Sequence, residues 1–438
     1  MSEVGASIRE VPATDDVARR TMRKVEWRLV PFCMVLFIVS FLDRINVGFA
    51  ALQMNKALAI DSASFGAGVG LFFIGYFLFE VPSNLILRRV GARVWISRIV
   101  LCWGALTALH VLTAGVKSFF LLRFLLGLAE AGFAPGLLYY FTLWFPQQYR
   151  GAIMSRYLTA SAIAIIIGAP FSTSLFHLDG VFGLSGWQWM FVVEGGLGVV
   201  LGIVTLFYLP DRPETARWLA DDERAWLVAT MRQQVQHVAG ADAFRAALKD
   251  FRVWVLTFMF FCFGISSYGV IFWLPQIIKQ LSGVSTDLVG VVTAVPWICA
   301  IVVMTLVGKS SDKFNERYLH FAGSLVVGGI GLIGSVLVAN PIVALVLIGL
   351  GAVGIWSALG VFWTIPQQLF SGAAAAGCLA LINSTGNLGG FAGPYLMGLA
   401  KSEFGSFSAG LIGLGVIVFA GAAASIYMKS TLRGGDAT

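Results

Sequence analysis

The chain has 438 residues, of which 58% are hydrophobic and only 12% charged. Soluble domains carry about twice that share of charge. A string of globular domains is therefore excluded for want of polar surface, as are a disordered chain, a disulfide scaffold and a nucleic-acid binder. The formal net charge is +7, but the basic residues follow the ends of apolar stretches and form no groove.

A bilayer core takes about 20 apolar residues per helix. Twelve stretches meet that need: 29–51, 64–87, 95–115, 118–144, 154–176, 187–209, 253–277, 287–308, 319–338, 341–369, 378–400 and 406–428. Pro82, Pro135, Pro170, Pro296 and Pro394 fall inside them, which a membrane bundle tolerates because neighbouring helices re-satisfy the freed backbone groups. With residues 1–28 placed inside the cell, 24 of the 30 Lys and Arg fall on that side. Four, Lys56, Lys117, Lys279 and Lys401, fall on the other, while Arg44 and Arg123 lie within spans. This positive-inside bias predicts an all-α, multi-pass protein with both termini cytoplasmic, in a cell membrane, expected to be a bacterial inner membrane. The polar tail before Leu29 lacks the apolar core and small-residue cleavage site of a signal peptide. Cys33, Cys102, Cys262, Cys299 and Cys378 fall in or beside spans without metal-ligand spacing, and the four histidines are scattered. No metal is expected.

The longest polar stretch, 210–252, divides the chain into a tail (1–28), a first six-helix bundle (29–209), a cytoplasmic linker, a second six-helix bundle (253–428) and a tail (429–438). The bundles echo each other. Asn84–Arg93 follows the second span and Gly308–Arg317 the eighth, 224 positions on; Phe145-Pro-Gln-Gln148 and Ile365-Pro-Gln-Gln368 are 220 apart. Parallel repeats around a midplane cavity are a transporter plan. The loop with Gly308, Asp312, Lys313 and Arg317 resembles the short cytoplasmic-loop motif of the major facilitator superfamily. The first-half copy departs from it, with Arg88 in place of the usual Asp and Ala92 in place of a basic residue. The whole chain is similar to the anion:cation symporter family of that superfamily. The matching stretches are Phe41-Leu-Asp-Arg-Ile-Asn46, Gly75–Asn84, Arg123–Gly132, Gly186–Gly195 and Asn383–Gly390.

Apart from any resemblance, six ionisable residues sit deep in spans: Asp43, Arg44, Glu80, Arg123, Glu130 and Glu194, all in the first half. Intramembrane charge costs a few kcal/mol or more and marks function by default. At 1.5 Å per residue, Asp43, Arg44 and Arg123 share one level in the outer half. Glu130 lies nearer the midplane, level with Tyr76 and on the face of Arg123. Two guanidiniums and two carboxylates sum to zero. An incoming carboxylate makes the cluster negative, and protonating Asp43 or Glu130 restores neutrality. Proton and anion then bind better together than apart, which is the condition for coupling. An arginine fork suits a carboxylate. Glu80, beside Arg88 and Arg89, reads as a gate or packing partner, as do Asp312 and Arg317. For Glu194 the sequence supplies no role.

The resemblance implies the same assignments: Arg44 and Tyr76 on the substrate, Asp43 and Glu130 in proton coupling, and Arg123 paired with these acids. Tyr268, Trp273, Gln276, Trp356, Trp363, Thr364, Asn383 and Asn387 are the second half's candidates for specificity. Of these Tyr268, Trp363 and Asn383 are expected, with Arg123, to contact substrate. The expected function is proton-coupled uptake of a small organic anion by alternating access, driven by the proton gradient without a cofactor, by a monomer. A hydroxy-dicarboxylate such as tartrate, or a sugar acid, leads; an aromatic monocarboxylate and anion exchange, such as sugar phosphate for phosphate, are alternatives. An enzyme is not expected, because no nucleophile–base pair or metal cluster is present.

Overall fold

A computed structural model describes residues 15–233, 248–370 and 372–435. The first part of the expected N-terminal tail (1–14), the middle of the linker (234–247) and the last residues of the C-terminal tail (436–438) lie outside the described residues. What is described is helix joined by turns. Span 1 is Asp15–Ala57, span 2 Ser62–Val90, span 3 Ala92–Leu109 and span 4 Val116–Glu130 with Phe133–Trp144. Span 5 is Gln147–Leu158 with Ala160–Ser174, and span 6 is Gly186–Tyr208. After the linker come span 7 (Phe251–Ser282), span 8 (Thr286–Lys313), span 9 (Tyr318–Leu337) and span 10 (Pro341–Phe362 with Thr364–Leu369). Span 11 is Gly372–Asn387 with Gly389–Phe404, and span 12 is Ser408–Gly435.

Among the described residues eleven spans are long and apolar enough to cross a bilayer, with spans 4, 5 and 10 taken as continuous across their breaks. The twelfth crossing, span 11, is broken at Leu388 into two pieces of 16 residues each. Neither reaches across alone; end to end they do. Span 1 starts well before Leu29, because residues 15–28 mix good helix formers (Ala, Arg, Met, Lys, Glu) behind two aspartates that suit a helix N-terminus. This extension carries the polar surface on which the linker docks. Arg20 binds Asp222 at 2.6 Å and Glu223 at 3.1 Å, and Lys24 binds Glu223 at 3.0 Å. The linker helix there is Asp221–Gln233. This side of the bundle is the linker end; the opposite side is the far end.

The repeat read from the motifs reappears in the packing. In the first half span 3 lies on span 6, span 2 on span 4 and span 1 on span 5; in the second, span 9 lies on span 12, span 8 on span 10 and span 7 on span 11. Each pairing is the other advanced by six spans. Between halves, span 2 meets the second piece of span 11 and span 8 meets the second piece of span 5, with span 1 against span 7. These pieces, 389–404 and 160–174, run toward the far end. There the halves are stapled by Phe65 on Trp273 (ring centroids 5.1 Å), Phe73 on Tyr268 (4.6 Å) and His177 on Asp287 (3.1 Å). The linker-end pieces of spans 5 and 11 make few contacts with the opposite half. The halves therefore close at the far end and part toward the linker.

One close approach sets the geometry of the first half. Gly75 of span 2 and Gly127 of span 4 face each other, and a Cβ on Gly127 would sit 2.0 Å from the Phe72 carbonyl oxygen. The absent side chains let the two backbones touch, the small-residue packing that membrane helices use in place of a hydrophobic drive. Gly127→Ala is expected to lower the unfolding temperature of purified protein by several degrees, through a forced displacement worth about 1–3 kcal/mol. Gly196→Ala, with nothing within 4 Å of its Cβ, is expected to leave it unchanged. Equal unfolding temperatures for the two variants would show that the contact does not hold spans 2 and 4.

Candidate functional site

The Gly75–Gly127 contact presses the Arg123–Glu130 face of span 4 against Phe72 and Tyr76 of span 2. Span 4 then breaks directly after Glu130. Gly132 takes a left-handed φ of 85°, a conformation that costs glycine nothing, and the helix restarts at Phe133. Glu130 is thus the last residue of a helix, fully buried and aimed at span 1.

There it meets Arg44. Nη2 of Arg44 bonds Oε1 of Glu130 directly, and the same oxygen accepts from Ser40 Oγ at 2.9 Å. The depth estimate from helix rise put Glu130 below Arg44; the arginine's long stem closes that gap. Arg44 keeps 14% of its side chain exposed, whereas Glu130 keeps none. The guanidinium is therefore the part of the pair that faces open space. Arg44 also lies over the rings of Phe72 (5.2 Å) and Tyr76 (5.4 Å). On the other side Arg123 lies 5.1 Å from the same Phe72 ring. Two cations share one aromatic ring, an attraction worth about 0.5–2 kcal/mol each.

Arg123 is wholly buried, and none of its three guanidinium nitrogens has a hydrogen-bond partner among the described residues. Asp43 and Glu130 both lie within electrostatic range of it. Asp43 is 1% exposed and its Oδ2 has no partner among the described residues. The four groups thus converge as one cluster, with one bonded pair and one pair held apart.

The structure adds members that the sequence did not single out. Asn46, three residues after Asp43 and on the same helix face, donates Nδ2 to Glu194 Oε2 at 2.7 Å and, more weakly, to Asp43 Oδ1 at 3.4 Å. Ser172 of span 5 donates to Glu194 Oε1 at 2.7 Å. Glu194 is therefore a third buried carboxyl tied to the cluster through one amide. Its position in the Gly186–Gly195 stretch offered no hint of this, since only packing brings span 6 to Asn46. The i+3 spacing of Asp43 and Asn46 was the one available signal.

The second half approaches from across the interface. Tyr268 packs on Phe73 and comes within electrostatic range of Arg44, so it faces the site. Asn383 does not touch Arg44. Its Nδ2 donates to Glu80 Oε1 at 3.3 Å, and Ser384 Oγ donates to Glu80 Oε2 at 3.4 Å. This joins span 11 to span 2 on the linker side of Tyr76, so the residue read as a substrate contact and the residue read as a gate are partners. Trp363 is packed at the break in span 10 against Phe260 (4.9 Å) and Phe362 (5.3 Å), away from the cluster. Among the other second-half candidates, Trp273 is spent on the far-end closure, its Nε1 donating to the Pro394 carbonyl at 3.1 Å. Trp356 stands edge-on to Trp297 (4.9 Å) and faces Phe41 across the halves at 6.5 Å. Asp312 and Arg317 bond each other at 2.6 Å within the second half; they brace the turn between spans 8 and 9 and, among the described residues, form no ion pair across the interface.

The profile of the Major Facilitator Superfamily matches residues 33–394. A protein of Agrobacterium vitis named "Putative tartrate transporter" is 44% identical over 420 residues, 95% of this chain and 96% of that one. A "Quinolone resistance transporter" of Acinetobacter baumannii is 41% identical over 411 residues, 93% of this chain and 94% of that one. Among solved structures, a bacterial homologue of the human lysosomal transporter Spinster superposes with a TM-score of 0.79 at 17% identity, over 93% of this chain and 97% of that one. These are the relatives of a transporter, not of an enzyme.

Asn46 is the joint between the two parts of the cluster. Asn46→Leu keeps its size but removes the donor shared by two buried carboxyls, leaving Glu194 only Ser172, at about 1–3 kcal/mol. The variant is expected to unfold several degrees below the parent protein in a thermal melt, and an unchanged melt would mean that the amide does not hold these acids.

Proposed function

This chain belongs to the major facilitator superfamily, and we propose that it works as a proton-coupled symporter importing a small organic anion, a hydroxy-dicarboxylate such as tartrate or a sugar acid. The observation that carries the reading is the Arg44–Glu130 pair with Arg123 buried beside it. Acids outnumber guanidiniums in this cluster: Asp43, Glu130 and Glu194 against Arg44 and Arg123. An arriving carboxylate adds negative charge where no spare cation exists, and in a low-dielectric site that is costly. Proton uptake by Asp43 or Glu130 offsets one unit of that added charge. If Glu130 takes the proton, Arg44 is released from its partner and can turn its fork to the substrate. Anion and proton then favour each other's binding, a reciprocal coupling. Arg123, with Asp43 in range, keeps the site attractive to anions throughout.

The positive-inside bias supports a linker end in the cytoplasm, which makes the conformation described above open to the cell interior. Import follows as alternating access: the far-end closure opens while the Glu80–Asn383–Ser384 contact tightens. Spans 7–12 contain no arginine between Arg252 and Arg317 or between Arg317 and Arg433, which disfavours a phosphate exchanger built on one arginine from each half. The name and 44% identity of the Agrobacterium vitis relative support the hydroxy-dicarboxylate. A second reading, an aromatic monocarboxylate, is favoured by the rings of Phe72 and Tyr76 against Arg44.

In proteoliposomes, an acid-outside gradient is expected to concentrate tartrate or a sugar acid, and a sodium gradient is not. Glu130→Gln and Asp43→Asn are each expected to cut gradient-driven accumulation at least about tenfold, the equivalent of ~1.4 kcal/mol. Accumulation by Glu130→Gln at the parent level would remove Glu130 from the coupling. Arg44→Lys is expected to lose substrate binding to a similar extent, because an ammonium cannot form the planar fork; retained binding, measured by thermal shift, would reduce Arg44 to a packing role.

A further inference from the structure

A second built site lies at the linker end, outside the transport cluster. The extension of span 1, the end of span 6 and the linker line an open surface pocket of about 900 Å³. Arg19, Arg20, Arg23, Lys24 and Arg28 line it, with Asp16 and Glu223 as the acids on its wall. Its floor is aromatic: the Arg28 guanidinium sits 5.1 Å from the Tyr208 ring and 5.2 Å from the Trp218 ring. Trp218 is in turn stacked on Trp144, at 5.8 Å and 16°. Arg28 Nε is buried and has no hydrogen-bond partner among the described residues. At the rim Trp27 leaves 72% of its surface exposed.

We propose that this pocket holds the headgroup of an anionic phospholipid. Five cations against Asp16 and Glu223 on the wall, with Asp222 bonded to Arg20 beside them, leave the pocket net positive. A phosphodiester supplies the acceptor oxygens that guanidiniums recognise as a fork. The pocket begins where span 1 emerges from its apolar stretch, which puts Trp27 and Arg28 at the headgroup level, while Asp16 lies about 18 Å further out along the helix. An exposed tryptophan beside it is the side chain favoured at that boundary. Clusters of four to eight Lys and Arg immediately beside a membrane helix attract anionic lipid, at about 1 kcal/mol per residue near the surface. A soluble phosphate would have no use for the Trp27 rim or for this depth, so the lipid is the occupant. Because Arg20 and Lys24 also bond Asp222 and Glu223, a headgroup seated here would brace the linker against span 1 and tie the two bundles' connection to the composition of the membrane.

The test uses full-length protein purified in neutral detergent, with bound lipid measured by native mass spectrometry and unfolding by a thermal melt. Phosphatidylglycerol is expected to be retained and to raise the unfolding temperature by several degrees. Phosphatidylcholine, and inorganic phosphate at matched ionic strength, are expected to do neither. Arg23→Gln with Arg28→Gln should lose retention at least about fivefold. Arg23→Gln alone, at an exposed position, serves if the double variant folds poorly and should lose retention about twofold or more. Lys309→Gln with Lys313→Gln, which removes exposed cations from the turn between spans 8 and 9, should retain lipid as the parent does. Equal loss in that control would reduce the effect to general surface charge and overturn the site. Unchanged retention in the Arg23 and Arg28 variants, or stabilisation by inorganic phosphate equal to that by phosphatidylglycerol, would overturn it as well.

Discussion

A guanidinium and a carboxylate placed on different helices in a medium that solvates neither must find each other. Arg44 and Glu130 do so across spans 1 and 4, and much of the first half is arranged to permit it. The Gly75–Gly127 contact brings span 4 close enough. The break at Gly132 ends the helix just after Glu130, and Ser40 supplies a further donor to the carboxylate. A buried pair of this kind is poor evidence for stability, because desolvation cancels much of the attraction. In the symport proposed above its worth lies in being breakable: a proton on the acid would free the arginine when an anion is present to use it.

The two halves divide the work unequally. All six deep ionisable residues are in the first half, whereas the second presents rings and amides. Packing, however, follows the same pairing of spans in both. The repeat therefore conserves the scaffold of contacts while its chemistry has diverged. The asymmetry suits the proposed symport, in which charge coupling would be concentrated on the first half and recognition of the rest of the substrate would come from the second.

The interface between the halves is likewise uneven. The far end is closed by close aromatic packing, from Phe65 to Trp273 and from Phe73 to Tyr268, while the linker side of the site is crossed by Glu80 with Asn383 and Ser384 at 3.3–3.4 Å. Long hydrogen bonds of this kind are easily exchanged, and rings packed at 4.6–5.1 Å are not. The linker side is thus the more weakly held of the two in this conformation.

The number and order of the crossings, the two-fold repeat and the identity of the four central charges were legible in the residues. Apolar length and intramembrane charge are local properties that no tertiary contact alters. Helix rise could also rank Asp43, Arg44, Arg123 and Glu130 by depth, but it could not say which would bond, since that depends on side-chain reach and on the rotation of each helix about its axis. For the same reason Asn383 reads as a substrate ligand from composition and is found on Glu80, Trp363 reads as a cavity ring and is found in packing, and Glu194 has no reading until span 6 is laid beside Asn46. Which end is closed is also a tertiary fact: the same sequence must support both arrangements if it transports, so no single stretch of it can encode one.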